Sequence, residues 1–321
     1  MGSGRIGRYG HIMSVLSFTD RGIYCPAGDF HIDPHRPVPR ALITHGHSDH
    51  ARRGHGSYLC TAAAAPVIAH RLRITPETIA YAEPRQIGDA RVSFHPAGHV
   101  PGSAQIRVEV GGAVWVVSGD YKLEADGLCE PFEPVRCHAF ITECTFGLPV
   151  FRWEPQVQVM AGINHWWAAN RAQGRVSVLT AYSLGKAQRL LANLSQDIGP
   201  IFCHPAIAAT NAVLRAQGLA LPQTEVLAGD LPDGALVLTP NAASLALSRP
   251  VSVAAASGWM ALAARRRGAD AAFVLSDHAD WQGLNRAVRD TGATRVFATH
   301  GYVEPFRRWL EQAGYDAGIV A

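Results

Sequence analysis

Ala41-Leu42-Ile43-Thr44-His45-Gly46-His47-Ser48-Asp49-His50 is an apolar run that leads directly into four potential metal ligands within six residues, in the pattern H-x-H-x-D-H. In an extended turn after a strand, residues two apart face the same side, so His45 and His47 point together. Asp49 and His50 sit one step further on and reach a second position. The spacing predicts two adjacent metal sites. Two later segments offer what such a pair still needs. Pro96-Ala97-Gly98-His99-Val100-Pro101-Gly102-Ser103 places His99 in a glycine-rich loop, and Trp115-Val116-Val117-Ser118-Gly119-Asp120 places Asp120 at the end of an apolar strand. Histidine and carboxylate ligands without a thiolate suit Zn²⁺, and ligand type alone leaves Mn²⁺ and Fe²⁺ open beside it.

Around these segments, short β-like runs alternate with helical patterns, which predicts an α/β fold. Strands are expected at residues 41–44, 113–118, 175–180, 235–239, 251–255, 271–276 and 294–299. Helices are expected at 154–172, 186–196, 206–216, 281–289 and 304–312, and over the alanine run 62–65. The first of these helices has Pro155 in its first turn and an apolar repeat at Val157, Met160, Ile163 and Trp167. The chain of 321 residues has room for one fold carrying an insertion.

Composition excludes several classes. With 48% hydrophobic and 17% charged residues, and no apolar run near the roughly 20 residues that span a bilayer, the chain reads as an ordinary globular protein. Residues 1–12 are glycine-rich, lack the apolar stretch of a signal peptide and read as an added leader ahead of Met13. Six cysteines without a C-x-x-C pair fit a reducing, cytoplasmic setting. A net charge of +3 does not announce a nucleic-acid binder, so any basic surface must be local. Arg265-Arg266-Arg267 reads first as a solvated helix end and second as a phosphate-contact patch.

In order and spacing, the three ligand segments resemble motifs 2, 3 and 4 of the metallo-β-lactamase fold. The resemblance implies an αββα sandwich in which His45, His47 and His99 bind the first metal, Asp49 and His50 bind the second, and Asp120 bridges them. Asp33, in Ile32-Asp33-Pro34, resembles the motif 1 acid that braces these ligands, a turn aspartate being the other reading.

Phe140-Ile141-Thr142-Glu143-Cys144-Thr145-Phe146-Gly147, Ser276-Asp277-His278-Ala279-Asp280 and Phe297-Ala298-Thr299-His300-Gly301 resemble motifs A, B and C of the β-CASP nucleases. That resemblance implies an inserted α/β cap over residues 150–270, between a first metallo-β-lactamase part at 13–149 and a second at 271–321. It implies that His300 adds a ligand to the second metal, that His278 is the general acid, that Glu143 orients it, and that Asp49 belongs to the catalytic set.

The closest likeness is to the bacterial ligase-associated DNA exonucleases, through residues 33–37 and 96–105. The expected function is therefore a two-metal phosphodiesterase that digests single-stranded DNA, 5′ to 3′, in repair. A DNA ligase is a partner by resemblance only. His300 is a feature of the RNA-processing members, so an RNA-processing nuclease is the alternative, and a small-molecule metallohydrolase is the alternative of another class. Finally, Tyr182-Ser183-Leu184-Gly185-Lys186 joins a strand to a helix start, where Ser183, the Gly185 backbone and Lys186 are expected to hold a terminal 5′-phosphate. A serine cap with a solvated lysine is the competing reading.

Overall fold

The computed structural model describes residues 14–245, 247–262 and 268–320. The expected leader at 1–12 and the run Arg265-Arg266-Arg267 lie outside them. The protein is α/β, with three six- or seven-stranded sheets.

The first sheet runs in the order Ser17–Thr19, Gly22–Cys25, Phe30–Ile32, Arg40–Leu42, Ser57–Thr61, Glu77–Ile79. The second runs Asp316–Ile319, Arg295–Gly301, Ala139–Cys144, Ala113–Val117, Ala104–Val110, Ala90–Pro96, Arg85–Ile87. Period-two alternation stacks these two sheets. Leu42 and Leu59 from the first join Trp115, Val117 and Ile141 from the second in one core. The intervening residues point outward to helices. Ala41, Ile43 and Cys60 pack with Ile68 and Leu72 of the helix Ala65–Leu72, while Val116 and Phe140 pack with Leu284, Val288, Phe306 and Leu310 of the helices Trp281–Thr291 and Val303–Gln312. The layers are thus helix, sheet, sheet, helix.

The third sheet is parallel throughout, in the order Glu225–Val226, Ile201–Cys203, Leu236–Thr239, Val176–Thr180, Val251–Ala256, Ala271–Phe273. Its central strands Ile201–Cys203 and Leu236–Thr239 are buried at every residue, which is why they read as nearly continuous apolar runs, whereas the edge strands Glu225–Val226 and Ala271–Phe273 are not buried in this way. The helix Gln156–Ala172 buries Val159, Met160, Ile163 and Trp167 against it.

Three expectations shift. Val157 is 73% exposed, because the buried stripe passes through Val159, two residues and about 200° further round the helix. The alanine run begins as a turn: Thr61 Oγ1 accepts the Ala64 N–H at 3.0 Å and donates to the Gly102 carbonyl at 2.7 Å, and the helix starts at Ala65 with Pro66 in its first turn. The strand expected to reach Ser276 ends at Phe273, and its pairing with Val251–Ala256 carries the third sheet past the expected boundary at 270.

A candidate metal centre

Strand direction gathers the candidate ligands. Ala113–Val117, Ala139–Cys144 and Arg295–Gly301 are adjacent and parallel, so their carboxyl ends deliver Asp120, Glu143 and His300 to one edge of the second sheet. His99 leaves the same edge after Ala90–Pro96, and the turn after Arg40–Leu42 brings His45 to His50 from the facing sheet. His300 sits at a register shift, where Glu143 pairs with Thr299 but Cys144 pairs with Gly301. Its φ of 50° turns it out of the pleat. Gly119 lets the Asp120 turn approach closely, since with φ at 56° a Cβ there would lie 2.7 Å from Thr44 Cβ.

Among the described residues, the expected metal residues fall in two groups that could each hold an ion, His45, His47, His99 and Asp120, and beside it Asp49, His50 and His300; Asp120 with Glu143 and His278 is a third such cluster. His45 Nε2 lies 3.1 Å from His47 Nδ1, and His99 Nε2 lies 3.0 Å from the same atom. Asp120 Oδ2 is 3.6 Å from His45, 3.7 Å from His99 and 3.4 Å from His50, and so faces both groups.

The hydrogen-bond partners assign the tautomers. His45 Nδ1 meets Thr44 Oγ1 at 3.1 Å, His99 Nδ1 meets the Asp277 carbonyl at 2.7 Å and His47 Nε2 meets the Leu184 carbonyl at 3.1 Å. Each ring therefore carries its hydrogen on the outer nitrogen, and three lone pairs converge on one point. Ligands about 2.1 Å from a common ion stand about 3.0–3.4 Å apart, which matches that convergence. Burial pushes the pKa of all three imidazoles below the ordinary value, favouring the neutral, ligating form.

At the second group the buried Nε2 of His50 has no hydrogen-bond partner. Burial opposes a charge on His50, yet the carboxylates of Asp120 and Asp33 raise its pKa well above the ordinary value. The negative charge of those two carboxylates would also attract a cation that displaces the proton. These observations fit divalent metal.

Asp33 braces both groups. It accepts the Thr44 N–H at 2.8 Å and the Thr44 hydroxyl at 2.5 Å, and takes His50 Nδ1 at 2.7 Å on the same Oδ2. Its own φ is 45°.

His278 stands against the centre, its ring 4.6 Å from His99. Its Nδ1 lies 2.9 and 3.0 Å from the two Glu143 oxygens. Glu143 is fully buried and fixed in turn by the N–H groups of Tyr121 at 3.0 Å and Thr145 at 3.2 Å. Burial works against charging His278, but Glu143 and then Asp120 outweigh it and raise the pKa to about 9.

The expected phosphate site is built differently. Lys186 is buried, with Nζ 2.6 Å from the Leu275 carbonyl and 3.1 Å from Asp277 Oδ2, so its ammonium, though it lines the cavity, is already paired. Arg189, one turn on, takes Asp277 Oδ1 at 3.1 Å and the Ser276 carbonyl at 2.5 Å. The Gly185 N–H donates to Gln188 Oε1 at 2.7 Å, and with φ at 85° a Cβ on Gly185 would lie 2.3 Å from Val100 Cγ1. Gly185 serves close packing, and Ser183 lines the cavity beside the centre.

Sequence reading missed what this loop does for the candidate ligands. The Leu184 carbonyl fixes His47, and Lys186 and Arg189 hold the side chain of Asp277, whose backbone carbonyl fixes His99. The available signal was Lys186 and Arg189 three apart on one helix face.

One cavity of about 390 Å³, within the roughly 300–1,000 Å³ of small-ligand sites, joins these parts. His47, Asp49, Asp120, His278 and His300 line it together with Phe146, Tyr182 and Trp259.

No family model matches the chain. A protein of Opitutus terrae named "Probable DNA ligase" is 33% identical over 310 residues, which cover 93% of this chain and 30% of that protein. The protein named "Endoribonuclease YSH1" of Candida albicans is 31% identical over 122 residues, 37% of this chain and 14% of that one. Its counterpart in Gibberella zeae is 34% identical over 128 residues, 38% of this chain and 15% of that one. The chain thus spans under a third of the first relative's length and about a seventh of the others'. A crystal structure of a protein of unknown function from Enterococcus faecalis V583 shares the fold, with a TM-score of 0.59 over 87% of this chain and 78% of that one at 12% identity. The sequence matches relate the chain to proteins named for enzymes that process nucleic acids.

Proposed function

We propose that the chain is a two-metal phosphodiesterase with the metallo-β-lactamase fold and a β-CASP insert, and that it digests single-stranded DNA from an end. The observation that carries this reading is the meeting, in one cavity, of members of both ligand groups, His47, Asp120, Asp49 and His300, with His278, which Glu143 holds from behind. His45, His47 and His99 would hold one ion, Asp49, His50 and His300 the other, and Asp120 both. The chemistry that such ions supply when bound is an activated water at neutral pH and neutralisation of charge on the phosphoryl oxygens.

The chain's own residues do the rest. Glu143, locked by two backbone N–H groups, keeps His278 charged and points Nδ1–H at itself, which leaves Nε2–H for the departing oxygen. With a pKa raised to about 9, His278 holds that proton at neutral pH. Leu184 and Asp277 hold His47 and His99 through their carbonyls, so the insert's loop keeps the ligand nitrogens aimed inward.

DNA is favoured by the extent of similarity, because the relative named as a DNA ligase matches over 93% of this chain. A role in repair beside a ligase, in the cytoplasm, belongs to the same reading. RNA is the second reading, supported by the relatives named as endoribonucleases and by His300. A small-molecule hydrolase is disfavoured by the insert wall over the cavity. Matched single-stranded DNA and RNA oligonucleotides, labelled at either end and incubated with added Zn²⁺ or Mn²⁺, test the proposal. Stepwise loss of end nucleotides from DNA is the expected result; RNA cleavage alone selects the second reading, and cleavage of neither refutes the nuclease.

A further inference from the structure

The cavity at the candidate metal centre has an aromatic side that phosphodiester chemistry does not use. Tyr182 follows the strand Val176–Thr180, lines the cavity and is 70% exposed. Among the described residues its phenol has neither a hydrogen bond nor a ring neighbour. Trp259 lines the same cavity from the turn Gly258–Ala261, half-buried, and its ring is wedged by Phe146 at a centroid distance of 4.9 Å and Phe151 at 5.9 Å. One ring is therefore fixed by packing, and the other is a large apolar surface left in water at the edge of a polar site.

We propose that Tyr182 and Trp259 form a nucleobase-stacking subsite that holds the base next to the scissile phosphate. This inference rests on the nucleolytic reading above. A ligand that places a phosphodiester at Asp120 and His278 and a planar ring against Tyr182 and Trp259, all within one cavity of about 390 Å³, is a nucleotide unit. Every base has a π-face, so stacking positions the strand without selecting its sequence. An exposed tyrosine gains apolar contact on both counts, by covering its ring and by stacking.

Steady-state cleavage by the metal-loaded protein tests this with two single-stranded oligonucleotides, one intact and one carrying tetrahydrofuran abasic residues at its ends. Tyr182→Ala should lower kcat/KM on the intact strand about 5- to 100-fold, and Tyr182→Phe should keep it. The abasic strand should cost the wild type a similar factor, and Tyr182→Ala should lose little more on it. Wild-type rates of Tyr182→Ala on the intact strand, or an equal loss on both strands, overturn the subsite and leave the nuclease standing. Failure of the wild type to cleave any oligonucleotide overturns the nuclease reading and the subsite with it.

Discussion

Two strand-to-turn loops meet in the same cavity and treat charge in opposite ways. The loop from His45 to His50 leaves the inner ring nitrogens of His45 and His47 facing the cavity without a hydrogen, and the buried Nε2 of His50 without a hydrogen bond. The loop from Tyr182 to Lys186 leaves nothing of that kind. Its lysine is matched by Asp277, its glycine N–H by Gln188, and its Leu184 carbonyl is given to His47. Buried polar groups cost free energy unless partnered, so the first loop is suited to a cation, whereas the buried polar groups of the second are already matched and serve as a frame. Basic residues beside an active-site cavity are therefore not in themselves a phosphate site. What their charge already faces decides.

The sharpest test of the contrast uses His278, which belongs to neither loop. His278→Ala should reduce cleavage of nucleic acid about 10²- to 10⁴-fold while leaving metal content intact. The loss should be smaller on bis(p-nitrophenyl) phosphate, whose leaving group needs no proton. Since Glu143 raises the His278 pKa, activity should fall at alkaline pH as His278 loses its proton, and Glu143→Gln should move that fall to lower pH. A profile that does not move separates Glu143 from proton transfer.

Lys186→Met comes next. Removing one partner of a buried pair leaves the other uncompensated, at a cost of about 3–5 kcal/mol, with Arg189 keeping the effect toward the lower end. Urea unfolding should register that loss. If stability is unchanged while preference for 5′-phosphorylated over 5′-hydroxyl strands disappears, the frame reading fails and the lysine is a phosphate ligand after all. Asp33→Ala should have a smaller effect, about 10- to 100-fold in metal affinity by chelator competition, because it removes the brace on Thr44 and His50 but no ligand. Unchanged affinity would make Asp33 a turn residue only.

These cases also explain what the sequence made legible. The candidate metal residues were readable because His45, His47, Asp49 and His50 are close in the chain and share one chemistry, although they lie in a turn beyond the strand Arg40–Leu42. Layering was readable because Leu42 and Leu59 alternate with Ala41, Ile43 and Cys60 between two cores. The role of Lys186 was not, since its partner Asp277 and the Leu275 carbonyl, 89 residues away, reach it only through the fold. Val157 and the alanine run failed locally instead, one through helix phase and the other through Thr61 holding a turn before Pro66. Similarity to named proteins could not supply these contacts, because it speaks of the chain as a whole.

The central claim is that the first loop and Asp120 hold metal. Elemental analysis of the purified protein after loading, beside Asp120→Ala prepared identically, tests it most directly. Asp120 Oδ2 faces His45 and His99 on one side and His50 on the other, so its removal should lower the occupancy of both positions from about two ions per chain. Undiminished metal in Asp120→Ala, or a wild type that binds none, would contradict the account.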